Sequence, residues 1–198
     1  AEHKSGYFTG SADPANEIRM SYGYPLPHRG NTRNGGASRG YSRLTDGDAA
    51  SYWKSNPYLT SKFTEESDAL HPQWVVVNLR SPESVSAVRI AWASPYATTY
   101  QVEYWIGKDA LDFDRGPDGE WKVFPSGAIT KAQGGTVTLK LSEAPVSTQF
   151  VRVLMTESSN TCDLHGSDDV RNCVGYAMQE IHPGTIDANG TFSEASAD

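Results

Sequence analysis

The two cysteines are the most suggestive reactive residues of this chain, and ten residues separate them in the segment TCDLHGSDDVRNC (161–173). An even count at this spacing in an acidic, Gly-rich chain favours a Cys162–Cys173 disulfide formed outside the cytoplasm, whereas two free thiols would fit a cytosolic protein. Zinc is disfavoured because the intervening His165 has no second ligand pair beside it. A disulfide here would close one polar loop instead of joining distant strands, which indicates that the shape of the loop matters.

An acidic turn in RLTDGDAASYW (43–53) is the second group that could do chemistry. Asp46, Asp48 and Ser51 offer carboxylates, a hydroxyl and outward carbonyls, and a hard cation such as calcium takes about six to eight oxygen ligands. The same residues also describe an ordinary Asp-Gly turn, and composition alone favours that simpler interpretation.

Catalytic patterns are sparse. The nearest acidic pair, Asp112 and Asp114, lies in the Gly- and Pro-containing stretch LDFDRGPDGEW and indicates a solvated hairpin, not a pair of acid–base groups in a cleft. Nucleophile-elbow, zinc-protease and phosphate-loop patterns do not occur in the sequence. We therefore expect a chain without enzymatic activity.

Composition and charge limit the classes of partner that this chain could bind. A length of 198 residues suits one domain, and 37 % hydrophobic with 11 % aromatic residues is enough for a core. A net charge of −7 argues against a nucleic-acid surface, which needs clustered Lys and Arg. No apolar run approaches the roughly 18 residues that span a bilayer. The opening residues AEHKSGYFTG contain no signal peptide, so we expect any targeting segment to lie outside this sequence.

Short β-branched and aromatic runs dominate the chain from residue 73 onward, and Gly, Pro, Ser or Asp clusters separate them. The runs are QWVVVNL, AVRIAWA, TYQVEYWIG, TVTLKL, FVRVLMT and YAMQEIHPGTI. Alternation in the third places Tyr100, Val102 and Tyr104 on one face of a strand. Many short strands at this spacing predict an all-β, antiparallel β-sandwich or barrel.

The sequence predicts the boundaries of the domain only approximately. Residues 1–40 predict an irregular N-terminal lead-in packed on the domain, with a short first strand around Tyr7, and residues 41–186 predict the main domain. Short helical turns are expected near 13–19 and 63–70. The last stretch, 187–198, is typical of a frayed C-terminal tail.

Six segments occur in a fixed order along the chain: LTDGDAASYW, PQWVVVNL, VSAVRIAW, TTYQVEYW, STQFVRVLM and GYAMQEI. In this order they resemble the discoidin or coagulation factor 5/8 type C domain, in its bacterial form the family 32 carbohydrate-binding modules, over roughly residues 40–185. The resemblance implies an eight-stranded jelly-roll sandwich with a structural calcium ion (Ca²⁺). It also assigns Trp53 and Trp74 to core positions, as packing residues and not binding residues.

The resemblance implies oxygen ligands for calcium from both ends of the domain. They are Asp46 through its side chain, Ser51 through its hydroxyl, its carbonyl or both, Arg43 and Asp48 through backbone carbonyls, and Glu180 through a carboxylate on the last strand. A cation held in this way would join the acidic turn to the final strand and stabilise the folded state.

The family's ligand site lies at loop tips at one end of the sandwich. The corresponding segments here are KSNPYLTSKFTEESDALHP (54–72), ASPYATT (93–99) and SSNTCDLHGSDDVRNC (158–173). The first and third exceed the family's usual length. The disulfide would therefore shape a recognition loop, which lowers the ordering cost of binding.

Residue types in these segments suit sugars, because pyranose C–H faces stack on aromatic rings and hydroxyls pair with planar polar groups. The predicted ligand-binding residues are Lys54, Asn56, Tyr58, Trp92, Tyr96, Asn160, His165, Arg171 and Asn172. Trp92 and Tyr96 would serve equally as core residues, and Arg171 could instead pair with Asp168 or Asp169. The family's post-Trp pattern of His and Trp is replaced here by WKSNPY, so a preference for galactose is not implied.

The predicted function is that of a secreted, bacterial, calcium-stabilised carbohydrate-binding module, monomeric and tethered to a glycan-degrading catalytic domain. The alternative is a protein-binding discoidin domain of the adhesion type. Anionic membranes are disfavoured because the acidic stretch TEESDALHP accompanies the apolar loop residues Leu59, Phe63 and Leu70.

Overall fold

The structure is a computed structural model that describes residues 6–12, 18–21, 52–110 and 118–195, with the first two ranges as backbone. Eleven strands lie in these ranges. They are β1 (Gly6–Ala12), β2 (Ile18–Ser21), β3 (Trp53–Lys54), β4 (Gln73–Val85), β5 (Ala87–Trp92), β6 (Ala97–Gly107), β7 (Gly119–Ile129), β8 (Thr136–Lys140), β9 (Val146–Ser158), β10 (Ala177–Ile186) and β11 (Phe192–Glu194).

Short helical turns lie in the connections between strands. One turn of α-helix covers Ser61–Thr64, and 3₁₀ turns cover Pro57–Leu59, Asp68–Leu70 and Val170–Cys173. Within the described ranges no helix has the length and apolar character that crossing a bilayer requires.

Two antiparallel sheets form the domain. The larger has six strands in the order β2-β1-β4-β9-β6-β7, and the smaller has five, β11-β10-β5-β8 with β3 paired to β10. Every paired strand runs antiparallel to its neighbour. The predicted all-β antiparallel sandwich is therefore confirmed.

The core lies between the two sheets and follows from period-2 alternation. Val75 and Val77 of β4, Val102 of β6 and Val153 of β9 point inward from the larger sheet, and Ile90 of β5 meets them from the smaller one. Trp53 joins this cluster and is buried, as the resemblance implies.

A second apolar cluster lies on the opposite face of the larger sheet. Its buried members include Trp74, Trp105 and Phe150, which alternate with the core residues of β4, β6 and β9. Arg152 pairs there with Glu103 and lies over the Trp121 ring, 4.6 Å from its centroid. Both faces of these strands are consequently apolar, which explains their nearly continuous hydrophobic runs.

Four strands, β2, β3, β7 and β11, fall where the sequence indicates none. β7 contains Pro125 and Gly127, which obscure the strand pattern but are tolerated because β7 is an edge strand of its sheet. β2 replaces part of the helical turn expected near 13–19, and residues 13–17 lie outside the described ranges. The expected C-terminal tail includes β11, which pairs with β10.

Other expectations agree with the structure. The strand around Tyr7 exists as β1, which extends the larger sheet by pairing with β4. The helical turns expected near 63–70 correspond to Ser61–Thr64 and Asp68–Leu70.

Candidate functional site

Loop 1 (55–72) and loop 3 (159–176) are joined at their bases. The Ser55 backbone N–H donates to the Tyr176 carbonyl at 2.9 Å, and the Tyr176 N–H donates to Ser55 Oγ at 2.8 Å. Gly175 has φ +80°, and a Cβ at this position would lie 2.5 Å from Ser55 Oγ. A glycine is thus required both for the backbone conformation and for the close approach of the loops.

Loop 2 (93–96) is held against the same region. The Ala177 N–H donates to the Pro95 carbonyl at 2.6 Å, and the Ser159 N–H donates to the Tyr96 carbonyl at 2.8 Å. The Tyr96 N–H in turn donates to Ser159 Oγ at 3.1 Å. The structure therefore brings together the three loops that the sequence predicts to meet.

Exposed apolar side chains concentrate on loops 1 and 3. Among the residues whose side chains the structure describes, seven large hydrophobic residues are exposed, and five of them lie on these two loops. The five are Tyr58, Phe63, Leu70, Leu164 and Val170. The Tyr58 and Phe63 rings are 36 % and 39 % exposed and lie edge to face, with centroids 4.9 Å apart.

Arg171 connects loop 3 to this aromatic pair. Its guanidinium pairs with Asp169, with Nη2 2.6 Å and Nε 3.0 Å from Oδ2, and its Nη1 donates to the Tyr58 hydroxyl at 3.4 Å. The hydrogen bonds to Asp169, and then to Tyr58, raise the pKa of Arg171, so it stays cationic. Of the two predicted acidic partners, the structure selects Asp169. We name Tyr58, Phe63 and Arg171 the aromatic patch.

The predicted disulfide is confirmed: Cys162 and Cys173 are bonded. Inside the closed loop, the Asp163 N–H donates to the Asn172 carbonyl at 2.9 Å, and the Asn172 side-chain amide donates to the Gly166 carbonyl at 2.8 Å. The His165 N–H donates to Asp163 Oδ1 at 2.8 Å. These contacts show that the loop has a packed polar interior of its own.

The predicted ligand-binding residues divide into accessible and buried side chains. Tyr58, Asn160 and His165 are exposed, whereas Asn56, Tyr96 and Arg171 are half-buried. Lys54, Trp92 and Asn172 are buried, so their side chains are placed to support the loops more than to touch a ligand.

Several of these residues have structural partners. Asn56 Oδ1 accepts from the Tyr58 N–H at 3.0 Å and caps the 3₁₀ turn Pro57–Leu59. The Trp92 ring packs against Tyr100 with centroids 5.1 Å apart, and Gly134 packs against the Tyr96 ring.

Sequence reasoning did not include Leu164, Val170 or Gly175 in the site. Leu164 is 80 % exposed at the tip of loop 3. The only available signal was a lone aliphatic residue in an otherwise polar segment. Gly175 could be recognised only from its contact with Ser55, which lies 120 residues earlier in the chain.

Most of the implied calcium ligands lie outside the described ranges, namely Arg43, Asp46, Asp48 and Ser51. Glu180 is described. Its carboxylate is largely buried, and Oε2 lies 2.9 Å from His182 Nε2, whose Nδ1 lies 2.7 Å from Glu194 Oε1. Within the described ranges, no group of three or more His, Cys, Asp or Glu side chains is arranged to hold a metal. The acidic pair Asp112 and Asp114 also lies outside those ranges.

The position of Glu180 relative to β3 is the one observation that bears on the calcium ligands. β3 pairs antiparallel with β10, with Trp53 opposite Met178. The described segment that begins at Tyr52 therefore runs beside the strand that carries Glu180. A largely buried carboxylate at this position is a type of ligand that calcium takes.

Comparison with known proteins identifies the domain. A family model described as a NedA-like, galactose-binding domain of the F5/8 type C group matches residues 43–153, more than half of the chain. The chain belongs to this family. The resemblance inferred from the six ordered segments is thereby confirmed, and the domain belongs to a group of binding domains, not of enzymes.

Solved structures agree on the fold. Chitosan-binding module 2, in complex with chitotriose and derived from a chitosanase/glucanase of Paenibacillus sp. IK-5, is 20 % identical, with a TM-score of 0.54 over 91 % of this chain and 97 % of that one. Module 1 of the same enzyme is 22 % identical, with a TM-score of 0.50 over 73 % and 83 %.

A third similar structure is the family 32 carbohydrate-binding module from C. perfringens NanJ in complex with galactose. It is 14 % identical, with a TM-score of 0.47 over 72 % of this chain and 82 % of that one. No curated protein sequence matches the chain. The two chitosan-binding modules show that the fold is that of carbohydrate-binding modules, and a disulfide in such a domain suggests an extracellular setting.

Proposed function

We propose that this domain binds a glycan on the aromatic patch, at the end of the sandwich where loops 1 and 3 meet. The observation that carries the proposal is the exposed, edge-to-face pair of Tyr58 and Phe63 with Arg171 bonded beside it. Exposed apolar groups that cluster on a soluble domain indicate a contact surface.

The chemistry of the aromatic patch suits a sugar. Aromatic rings offer apolar faces to pyranose C–H groups, and the Tyr58 hydroxyl and the Arg171 guanidinium offer directional hydrogen bonds to sugar hydroxyls. The pairing of Arg171 with Asp169 holds the guanidinium in place before a ligand arrives, which lowers the ordering cost of binding. A small wet interface of this kind yields about 4–6 kcal/mol, or a Kd in the high micromolar to millimolar range.

Charge around the aromatic patch restricts the class of glycan. Acidic residues outnumber basic ones on both loops: Glu65, Glu66, Asp68, Asp163, Asp168 and Asp169 stand against Lys62 and Arg171. Since like charges repel a ligand of the same sign, we propose neutral or amine-bearing glycans as ligands and not polyuronates or sulfated glycans. The chitosan-binding modules of similar fold support this preference.

The wider role that we propose follows the sequence expectation. The domain is a monomeric module of a secreted bacterial protein, tethered to a glycan-degrading catalytic domain and concentrating it on its substrate. A calcium ion held by the acidic turn and Glu180 would stabilise it. The similar modules derived from a chitosanase/glucanase support the tethering, and the disulfide supports secretion.

A screen against neutral, amine-bearing and acidic polysaccharides, with calcium present, tests the proposal. We expect binding to one neutral or amine-bearing class. Tyr58→Ala should then weaken binding by about tenfold, since an aromatic contact contributes about 0.5–1.5 kcal/mol beyond its buried area and 1.4 kcal/mol is a factor of ten. Isothermal titration with an oligosaccharide of that class measures the change.

Ile106→Ala is the matched control, because Ile106 is an exposed apolar residue on β6 and does not lie on the loops. It should retain the affinity of the parent protein. Equal losses in the two variants would place the site elsewhere.

A protein ligand is the second candidate, and one observation favours it. Leu164 projects from loop 3 at 80 % exposure, and such an apolar tip suits a protein surface better than a hydroxylated sugar. A blank polysaccharide screen with well-folded protein would favour this candidate. Leu164→Ala should then weaken binding to the protein partner, whereas it should leave glycan binding unchanged if the glycan proposal is right.

A further inference from the structure

We propose that loop 3 holds a calcium ion of its own, bound by Asp163 and Asn172 beside the disulfide. This site is separate from the calcium position implied for Glu180. It rests on two buried oxygen atoms, Asp163 Oδ2 and Asn172 Oδ1, that have no hydrogen-bond partner within the described ranges.

Asp163 presents one oxygen to the loop interior. The residue is only 8 % exposed, and its Oδ1 accepts from the His165 N–H at 2.8 Å. Oδ2 is buried and without a donor from any described residue. A buried carboxylate oxygen without a donor or cation is unfavourable, so this atom requires a partner.

Asn172 presents the second oxygen, and its orientation follows from its hydrogen bond. The side-chain amide donates to the Gly166 carbonyl at 2.8 Å, and the residue is 2 % exposed. A flipped amide would place its oxygen against that carbonyl oxygen, so the nitrogen must face Gly166 and Oδ1 must face elsewhere. Both orphan atoms are therefore acceptors, and neither can satisfy the other.

The two residues face each other across the neck of the loop. The Asp163 N–H donates to the Asn172 carbonyl at 2.9 Å, and the adjacent residues Cys162 and Cys173 are bonded. Their side chains therefore start from backbone positions that are hydrogen-bonded to each other at the neck of the loop.

Within the part of the chain that the structure describes, no Lys or Arg neutralises Asp163. Loop 3 contains one Lys or Arg residue, Arg171, and its guanidinium is paired with Asp169 and hydrogen-bonded to the Tyr58 hydroxyl. No Lys, Arg or His side chain in the described ranges forms an ion pair with Asp163. A bound cation supplies the missing charge, whereas a bound water would satisfy the two acceptors but leave the charge uncompensated.

The donor set selects the cation. The two orphan atoms, a carboxylate oxygen and an amide oxygen, are hard ligands of the kind that Ca²⁺ takes, and water would complete its shell. One carboxylate makes the site weak, with a Kd of about 10⁻⁴–10⁻³ M, as in other extracellular calcium modules. At such affinities the ion would order loop 3 where calcium is abundant.

Titration of the EDTA-stripped, ¹⁵N-labelled protein with CaCl₂ tests the site. The backbone amide of His165 and the side-chain amide of Asn172 report on it directly, because they contact Asp163 and Gly166. We expect both resonances to shift with saturation in the millimolar range, and NaCl of equal ionic strength to leave them in place. Absence of a shift at ten times the weaker expected Kd would assign the two acceptors to a water molecule and overturn the proposal.

Two matched variants locate the ion. Asp163→Asn should remove the saturable shift, whereas Asp168→Asn removes the same charge from an exposed position of the loop and should retain it. Glu180→Gln should also retain it, since that residue belongs to the other calcium position. A shift that survives in Asp163→Asn would contradict the assignment. If Asp163→Asn does not fold, the wild-type titration and Asp168→Asn still decide.

Discussion

A single residue, Tyr176, connects the bases of loops 1 and 3 to the core of the sandwich. Its backbone exchanges two hydrogen bonds with Ser55, while its ring belongs to the main core and is buried. The hydroxyl is buried as well and has no hydrogen-bond partner within the described ranges. Burial, with smaller contributions from Asp68 and Glu157, raises the pKa of this hydroxyl above its ordinary value.

We predict that Tyr176→Phe is neutral at pH 7 or stabilises by about 1 kcal/mol, because an unsatisfied buried hydroxyl is unfavourable by about 1–3 kcal/mol. The pH dependence has a definite sign. Since the folded-state pKa is raised, the native state holds its proton where the unfolded state has lost it, so stability is complete below about pH 10 and falls as pH rises above it. The variant should lose less stability over this alkaline range.

Urea unfolding at pH 8 and at pH 10.5–11 measures this difference. Tyr58→Phe is the control, because the Tyr58 ring is exposed, and it should follow the wild-type pH dependence. A remaining alkaline decline is expected in Tyr176→Phe, since burial also raises the pKa of Tyr100. Identical alkaline declines in Tyr176→Phe and wild type would contradict the role assigned to Tyr176.

At the scale of elements, the contact between loops 1 and 3 depends on one glycine. Gly175 and Gly166 share nearly the same backbone conformation, φ +80° and +84°, but differ in surroundings. A Cβ at Gly175 would meet Ser55 Oγ at 2.5 Å, whereas a Cβ at Gly166 would have nothing within 4 Å. Alanine variants at the two positions therefore separate the cost of a strained backbone from the cost of a clash with Ser55.

We predict that Gly166→Ala lowers the free energy of unfolding by about 1 kcal/mol, the cost of a positive φ for alanine. Gly175→Ala should cost at least 1 kcal/mol more, because Ser55 must move and its hydrogen bond to Tyr176 is disturbed. Denaturant unfolding of both variants measures the difference, and glycan affinity should fall more in Gly175→Ala. Equal losses of stability in the two variants would show that Ser55 can move away from a Cβ at position 175 at little cost.

The sequence predicts elements where one physical signal dominates. The runs that became β4, β5, β6, β8, β9 and β10 were foreseen because β-branched residues and alternation coincide there. β7 was not, because Pro125 and Gly127 are typical of turns and become acceptable only at a sheet edge. β3 has only two residues, and its existence depends on its pairing with β10.

The candidate site was foreseen at the level of loops and less well at the level of side chains. Residue type singled out Tyr58 and Arg171 as groups suited to sugar; both lie at the meeting of loops 1 and 3, and their contact with a ligand stays a prediction. Lys54, Trp92 and Asn172 have equally suitable types but are buried, and burial is a property of tertiary packing that no local pattern encodes.

At the scale of the whole molecule, the two sheets share one core, and the proposed calcium ion would add a link between the acidic turn and β10. We predict that EDTA lowers the Tm by about 5–10 °C, because a ligand at 100 times its Kd stabilises by about 2.7 kcal/mol and each kcal/mol shifts the Tm of a domain of this size by about 2–4 °C.

Differential scanning calorimetry with calcium and with EDTA measures the shift. Glu180→Gln should abolish most of the response to EDTA, whereas Asp163→Asn should retain most of it, since the ion proposed for loop 3 binds weakly and therefore adds little to stability. An unchanged Tm in excess EDTA, together with no metal by elemental analysis, would remove the Glu180 calcium position.

The Cys162–Cys173 bond has a consequence for how the domain can change. The bond closes a ring between two residues that are 11 apart in sequence. The two ends of this ring lie side by side where the chain returns to the sandwich, and this does not depend on the residues between them. Insertions, deletions and new side chains between the two cysteines should therefore alter the proposed binding surface without altering the spacing of the strands. The residues between Asp163 and Arg171 are therefore the segment best suited to diversification, by natural variation or by library design, on an otherwise constant scaffold.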